Sequence, residues 1–239
     1  MAIKDIKYQN TTIRISYTKI NRDVEKNMIF LHGWGSNKEL MAMAFKESFM
    51  GFNHIYIDLP GFGGSDTTIF LNSYDYANVI KLFLQEMRIN KEKNNIVVGH
   101  SFGGKIALLL DYEIILLSSA GILLPKPFSV RAKIMLSKIL KFRIFKAINS
   151  NFLKAKDAEG LNPIMYEIFK HVVNEDFSKE YANFSHKATI FWGKEDTATP
   201  LESFHKITAL MPKARAFLME GDHYFFLKQA DKIQELYHS

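Results

Sequence analysis

The segment NNIVVGHSFGG, residues 94–104, decides the fold of this chain. A β-branched apolar run at 96–98 enters the turn GHSFG (residues 99–103), and an alanine- and leucine-rich stretch at 105–110 leaves it. A strand, a sharp turn and a helix form the context in which a Gly-x-Ser-x-Gly motif presents a nucleophilic serine. Glycine at both ends of the turn lets strand and helix approach without Cβ clashes. The pattern predicts a nucleophile elbow centred on Ser101.

The composition is that of an ordinary globular protein. The chain has 239 residues, of which 47% are hydrophobic and 23% charged, so one domain with an insertion is expected. It has no cysteine, which excludes disulfides, thiolate nucleophiles and cysteine-based metal sites. Residues 1–7 carry charges where a signal peptide is apolar, and no apolar run approaches the ~18 residues of a membrane span. These features predict a cytoplasmic protein.

Strand and helix patterns alternate along most of the chain. Segments 3–8 and 12–17 predict an edge hairpin. Further strands are expected at 28–31, 54–59, 113–117, 189–193 and 215–219, and helices at 38–50, 73–87 (with Ser73 as N-cap), 200–210 and 224–237. Buried apolar strands that alternate with helices predict an α/β fold with a doubly wound, mostly parallel sheet.

Residues 122–185 interrupt this alternation. Strand patterns vanish there, and helical, lysine-rich segments replace them without the Gly/Ser-rich composition of a linker. We therefore expect a core formed by 1–121 and 186–239, with a helical insertion at 122–185.

The residues that follow the predicted strands supply the parts of a serine hydrolase. In an open α/β sheet, ligands collect outside the carboxyl ends of the strands. A serine hydrolase needs a nucleophile, a base, an acid that orients the base, and two N–H donors for the oxyanion. The groups at these strand ends are His32-Gly33-Trp34-Gly35, Asp58, Ser101, Ser118-Ser119, Asp196 and His223.

Four segments together resemble the α/β-hydrolase superfamily. They are HGWG at 32–35, GHSFG at 99–103, WGKED at 192–196 and GDH at 221–223. The DLPGFGGS loop at 58–65 is also typical of these proteins. The core is similar to small carboxylesterases, including pimeloyl-carrier-protein methyl esterases, and to hydrolases of meta-cleavage products. Only the insertion falls outside the resemblance.

The resemblance implies a role for each site residue. Ser101 would attack the carbonyl carbon, and His223 would take its proton and later protonate the leaving alcohol. Asp196 would hold the His223 ring, and the backbone N–H groups of Trp34 and Phe102 would form the oxyanion hole. No metal or organic cofactor is implied.

Two other carboxylates compete with Asp196 for the acid role. Glu195 directly precedes it, and Asp222 stands where the superfamily usually has glycine, directly before His223. We expect Asp222 to face solvent, although an effect on the pKa of His223 remains open. His32 and Asp58 are expected to support loops, and His100 to pack.

In this superfamily the insertion forms a lid over the nucleophile. Its apolar side chains would exclude water and select the substrate, which predicts a mainly apolar acyl or alkyl group. The candidate pocket residues are Phe128, Met135, Phe142, Phe152, Met165 and Phe169.

The first part of the insertion is strongly basic. Residues 125–156 contain nine Lys or Arg and no acidic residue, within a chain of net charge +6. The favoured interpretation is a pair of amphipathic helices with solvated lysines. Steering of an acidic substrate or carrier protein, and contact with a membrane surface, are the alternatives. Nucleic acid is not expected because no binding motif is present.

Three functions fit these residues, and a serine esterase acting on esters or thioesters fits best. A carbon–carbon hydrolase typically carries Trp after the catalytic His and a lid arginine. Here Tyr224 follows His223, and Arg131 and Arg143 are the candidate lid arginines. The third function is a ligand-binding receptor on the same fold. The oligomeric state is left open.

Overall fold

A computed structural model describes residues 1–89, 95–124 and 163–239. Eight strands within these ranges form one sheet in the order β1-β2-β4-β3-β5-β6-β7-β8. The pairings of β2 with β1 and β4 are antiparallel, and the others are parallel. The strands are β1 (Ala2–Tyr8), β2 (Thr11–Ile20), β3 (Asn27–Leu31), β4 (Asn53–Ile57), β5 (Ile96–His100), β6 (Glu113–Leu117), β7 (Ala188–Gly193) and β8 (Arg215–Met219).

Helices cover both faces of this sheet. They are α1 (Lys38–Phe45), α2 (Ser73–Glu86), α3 (Phe102–Leu108), α4 (Pro163–Val172), α5 (Ser178–Ala182), α6 (Leu201–Leu210) and α7 (Ala230–His238), with a 3-10 helix at Phe225–Leu227. Every residue of β3, β4, β5 and β7 is buried, as expected for parallel strands covered on both sides.

Neighbouring residues of the central strands belong to two different cores. Leu31 and Val97 pack in a core with residues of α2, α3, α4 and α6. Phe30 and Val98 pack in a second core with residues of α1, the 3-10 helix and α7. Side chains alternate between the faces of a strand, so each central strand contributes to both cores. The predicted doubly wound α/β fold is confirmed.

Three predicted helix boundaries were wrong. The N-cap of α2 is Asn72, whose side chain accepts a hydrogen bond from Asp75 N–H at 2.9 Å while the Asp75 carboxylate accepts one from Asn72 N–H at 2.9 Å. This reciprocal capping box leaves Ser73 inside the helix. Helix α1 ends at Phe45, and Phe49, which lies within the predicted range 38–50, takes a φ of 52° while its N–H bonds to the Gln234 side chain.

The third wrong boundary is that of the closing helix. It begins at Ala230, and not at Tyr224 as the periodicity predicted. The Asp222 carboxylate accepts the Tyr224 N–H at 2.8 Å, and this local bond starts a turn that leads into the 3-10 helix. The histidine at position 223 therefore lies in a tight turn and not at a helix N-terminus.

Two helices of the predicted insertion lie within the described residues. They are α4 and α5, which agrees with its helical composition. The role of 122–185 as a separate lid stays a prediction. Among the helices described, none is long and apolar enough to cross a membrane.

Candidate active site

Ser101 occupies a strained turn between β5 and α3. Its backbone has φ 51° and ψ −111°, a conformation that is rare for residues other than glycine. The Ser101 N–H donates to the Leu117 carbonyl at 3.0 Å, and its carbonyl accepts from Gly104 and Ala120, each at 3.0 Å. These bonds to β6, α3 and the segment after β6 hold the strained geometry in place.

Two glycines allow this turn to close. A Cβ on Gly99 would lie 2.6 Å from the Gly103 carbonyl oxygen. A Cβ on Gly103 would lie 2.3 Å from the Leu31 carbonyl oxygen on the adjacent strand. Both distances are shorter than real Cβ contacts, so only glycine fits at either position. These close backbone approaches are the physical reason why the Gly-x-Ser-x-Gly motif predicts a nucleophile elbow.

Asp196 and His223 come together after β7 and β8. The Nδ1 atom of His223 lies 2.7 Å from Oδ2 of Asp196, whose side chain is fully buried. The other carboxylate oxygen accepts N–H bonds from Ala198 at 2.7 Å and from Thr199 at 2.9 Å. Thr199 also donates its hydroxyl to Oδ2 at 2.7 Å. The carboxylate is therefore oriented by both its neighbours and the histidine.

The electrostatics of this pair favour one tautomer of His223. Burial alone would raise the pKa of Asp196, but the His223 ring and the Thr199 donors lower it to about 2. An ionised Asp196 carboxylate can only accept a hydrogen bond from His223. The Nδ1 atom of His223 therefore carries the proton, and its Nε2 atom keeps its lone pair. The two other candidates for the orienting acid, Glu195 and Asp222, are both exposed.

His100 connects the elbow to His223. Its Nε2 donates to the His223 carbonyl at 3.0 Å, and the two ring centroids are 4.6 Å apart. Burial lowers the pKa of His100 well below its ordinary value, which keeps the ring neutral. Sequence reasoning assigned only packing to this residue. No sequence signal marks the contact, because the position directly before the serine of the elbow motif is variable.

The HGWG loop lies directly against the elbow. A Cβ on Gly33 would lie 3.2 Å from the Ser101 Cβ, so the two backbones approach closely. The Trp34 ring packs against Phe102, with centroids 5.4 Å apart. In the described part of the chain, no hydrogen bond uses the N–H of Trp34 or of Phe102. Both residues line the same cavity as Ser101.

His32 and Asp58 hold the loops around the site, as expected. The Nδ1 of His32 donates to the Gly33 carbonyl at 2.8 Å, and Nε2 accepts the Leu59 N–H at 3.0 Å. Burial lowers the pKa of His32, so this ring stays neutral. Asp58 accepts the N–H of Lys38 at 2.8 Å, its ammonium at 2.6 Å and the Gly64 N–H at 2.9 Å.

A cavity of about 110 Å³ opens beside Ser101. It is mainly apolar, and its charged lining residues among those described are Lys105 and Glu175. Further lining comes from 120–124, 172–173 and 197–200. Sequence reasoning missed these segments because they have no periodic pattern. Within the described ranges, no group of three or more metal-binding side chains is arranged to hold an ion.

Two of the six predicted pocket residues lie within the described part of the chain. Met165 and Phe169 are buried in α4, but they are not among the residues that line the cavity. The Met165 sulfur lies against Gly61, and the Phe169 ring packs on Trp34 with centroids 5.3 Å apart. Met165 therefore contacts the loop at Gly61, and Phe169 contacts a residue that lines the cavity. The other four, Phe128, Met135, Phe142 and Phe152, lie outside the described residues.

Comparison with known proteins agrees with this geometry. A family described as the alpha/beta hydrolase fold matches residues 26–110, which run from β3 through the elbow. The protein has the α/β-hydrolase fold. An esterase (EaEST) from Exiguobacterium antarcticum superposes with a TM-score of 0.78 at 18% identity, covering 98% of this chain and 97% of that chain.

Two curated proteins are similar over part of their length. The pimeloyl-[acyl-carrier protein] methyl ester esterase of Pseudoalteromonas atlantica (strain T6c / ATCC BAA-1087) is 25% identical over 158 residues, 66% of this chain and 51% of that protein. The 2-succinyl-6-hydroxy-2,4-cyclohexadiene-1-carboxylate synthase of Salmonella agona (strain SL483) is 36% identical over 84 residues, 35% of this chain and 31% of that one. The matches span about half the first relative and a third of the second.

Proposed function

We propose that this α/β-hydrolase cleaves carboxylic esters through an acyl-enzyme on Ser101. The observation that carries the proposal is the 2.7 Å contact between His223 and a buried, ionised Asp196, beside a strained elbow that holds a serine. A nucleophile, a base and an orienting acid are the parts that acyl transfer requires.

The tautomer of His223 supports the assignment of the proton transfers. With Nδ1–H directed to Asp196, the lone pair on Nε2 takes the proton of the Ser101 hydroxyl as its oxygen attacks the carbonyl carbon. The resulting imidazolium is stabilised by Asp196 and gives its proton to the leaving alkoxide. A water molecule then repeats the sequence on the acyl-enzyme and releases the acid.

The oxyanion would bind to the N–H groups of Trp34 and Phe102. Both residues line the cavity beside Ser101, and neither amide is used within the described residues. Loss of one such donor typically costs about 3 kcal/mol of transition-state stabilisation. This chemistry needs no metal or organic cofactor.

The cavity supports a small to medium, mainly apolar acyl group. Its volume of about 110 Å³ is similar to the roughly 150 Å³ of an apolar cavity that holds benzene. We propose that 122–185 is the lid of this cavity. In support, Phe169 of α4 contacts Trp34, and Val172 at the end of that helix lines the cavity.

Labelling of cavity serines tests the proposal. Purified protein is treated with a fluorophosphonate and assayed on p-nitrophenyl esters and on a dienoate meta-cleavage product. We expect labelling and ester turnover that vanish in Ser101→Ala but persist in Ser203→Ala, which alters another serine of the same cavity. Turnover of the dienoate above that of the esters would establish the carbon–carbon hydrolase instead. No label and no turnover would favour the receptor.

A further inference from the structure

A buried lysine lies one helical turn beyond Ser101. All seven residues of α3 are buried, and Lys105 is only 1% exposed. Lysine is almost never fully buried without compensating partners, because removing the ammonium from water is costly. The proposed catalytic steps make no use of this residue.

The hydrogen-bond partners of Lys105 come from the last residue of α4 and from the segment that follows that helix. Its Nζ donates to the Val172 carbonyl at 2.7 Å and to Oε2 of Glu175 at 2.6 Å. It also lies 4.5 Å from the centroid of the Phe177 ring. One ammonium therefore fixes this segment of the predicted lid onto the elbow helix.

Both oxygens of the carboxylate in this ion pair already accept hydrogen bonds. Oε1 of Glu175 accepts the Ser73 N–H at 3.1 Å and lies 3.5 Å from Nε2 of His171. Oε2 accepts from Lys105 and from the Ser73 hydroxyl. The Lys105 ammonium has three N–H groups, and two of them donate the hydrogen bonds to Val172 and Glu175. Among the described residues, no acceptor takes the third.

The unused donor belongs to a residue that lines the cavity together with Ser101. Ser101 directly precedes α3 and Lys105 is the fourth residue of that helix, so their backbones are about 6 Å apart along the helix axis. Long helical side chains also lean towards the helix N-terminus, which here is the Ser101 end. An acyl chain attached to Ser101 would therefore pass near the ammonium. Burial lowers the pKa of Lys105, as expected for an ammonium deprived of water.

We propose that Lys105 is a specificity-determining residue that donates a hydrogen bond to a neutral oxygen in the acyl chain of the substrate. This rests on the proposed esterase function and names its substrate class: esters whose acyl group carries a keto, ether or ester oxygen about one helical turn from the scissile carbonyl. A carboxylate is disfavoured at that place because Glu175 already pairs with the lysine, and Glu180 adds negative charge nearby.

Three p-nitrophenyl esters of equal acyl length test this assignment. One has a hydrocarbon chain, one an ether oxygen in that chain, and one a terminal carboxylate. A charge-assisted hydrogen bond outweighs the lost burial of one methylene, so we expect kcat/KM for the ether to exceed that for the hydrocarbon by about tenfold. The carboxylate should be the poorest substrate. Equal rates for ether and hydrocarbon in the wild-type protein would overturn the proposal.

A double variant identifies the residue responsible. Lys105→Met combined with Glu175→Gln removes the ammonium without leaving an uncompensated buried carboxylate. The ether-to-hydrocarbon ratio should fall to about one. The matched control is Ser73→Ala, which removes another donor to Glu175 but is not a cavity residue, and the ratio should persist there. A ratio retained in the double variant, or lost in the control, would contradict the proposal.

Binding separates this inference from the esterase assignment. Uncleavable amide analogues of the ether and hydrocarbon esters are titrated into Ser101→Ala protein by calorimetry. A tenfold preference for the ether analogue is expected even if no ester is hydrolysed. Equal affinities would overturn the role of Lys105, whereas absent ester turnover in the wild type would overturn only the proposed function.

Discussion

Asp58 and Asp196 are two buried carboxylates that both follow a strand of the same sheet. Asp58 comes directly after β4 and bonds to the Lys38 ammonium at 2.6 Å. Asp196 comes three residues after β7 and bonds to His223 at 2.7 Å. Lysine keeps its proton, so the first pair is a fixed support for two loops. Histidine can gain and lose a proton, so the second pair can act in catalysis.

The position of a carboxylate at a strand end therefore does not define its role. Both acids lie where ligands collect in an α/β sheet, and both have fully buried side chains. The partner that tertiary structure brings to each acid decides what it can do. Substitutions at the two positions should therefore affect different observables.

The largest expected effect is that of Asp196→Asn on turnover. The amide would favour the wrong tautomer of His223 and could not stabilise an imidazolium, so we expect kcat to fall by about 10⁴-fold with little change in fold. Ester hydrolysis and circular dichroism on the same preparation measure both quantities. A comparable loss in Asp222→Asn, with Asp196→Asn fully active, would show that the acid is misassigned.

Asp58→Asn should affect stability instead. The change leaves the Lys38 ammonium, which is 2% exposed, with Glu39 as its remaining ionic partner at 2.7 Å. Breaking a buried pair in this way costs about 3 kcal/mol of unfolding free energy, towards the lower end of the usual range because Glu39 remains. Urea denaturation measures it. A stable Asp58→Asn protein that has lost turnover would refute the division of roles between the two acids.

Acid should remove a stabilising contribution that belongs to Asp196. Its folded pKa is about 2, below the ordinary 3.8, so the stabilisation is fully present above about pH 4 and is lost as the pH falls through 2. The shift corresponds to about 2 kcal/mol. Denaturation of wild type and Asp196→Asn at several pH values should show a stability gap that closes across this window. A stability difference between the two proteins that does not change with pH would mean that the Asp196 carboxylate is not held in its ionised form.

The smallest effect is expected from Thr199→Val. Its hydroxyl donates to Asp196 at 2.7 Å and lies 3.3 Å from Nδ1 of His223, so it orients both members of the pair. A neutral hydrogen bond contributes about 1 kcal/mol, so kcat should fall roughly fivefold. The pH profile of kcat/KM should shift as well, and Thr199→Ser should restore both. A fall in kcat without a shift of the pH profile, or one that Thr199→Ser does not reverse, would indicate that the Thr199 hydroxyl only fills space.

The parts of the site that could be predicted from the sequence are those that local backbone geometry demands. Gly99 and Gly103 are required by close approach in the elbow, and the strand ends follow from apolar runs. The fold was predictable for the same reason. The N-cap of α2 was misplaced by one residue because Asn72 and Ser73 are both good capping residues, and only Asn72 has an acidic partner three positions later.

The remaining parts depend on contacts between distant segments. Lys105 and Glu175 are 70 positions apart, and His100 meets a carbonyl 123 positions away. Such long-range pairs produce no periodic pattern in the sequence, because packing in the folded chain determines which residues meet. The same reason explains why Met165 and Phe169 were placed in the cavity, although they pack against the loops at Gly61 and Trp34.

Mass spectrometry of the acyl-enzyme identifies the nucleophile of this protein. The protein is mixed with a p-nitrophenyl ester, quenched in acid within the burst phase and digested. We expect an acyl group on the peptide that contains Ser101, with a burst of nitrophenol equal to the number of active sites. Ester turnover with no acyl group on Ser101, or with the acyl group on another residue, would contradict it.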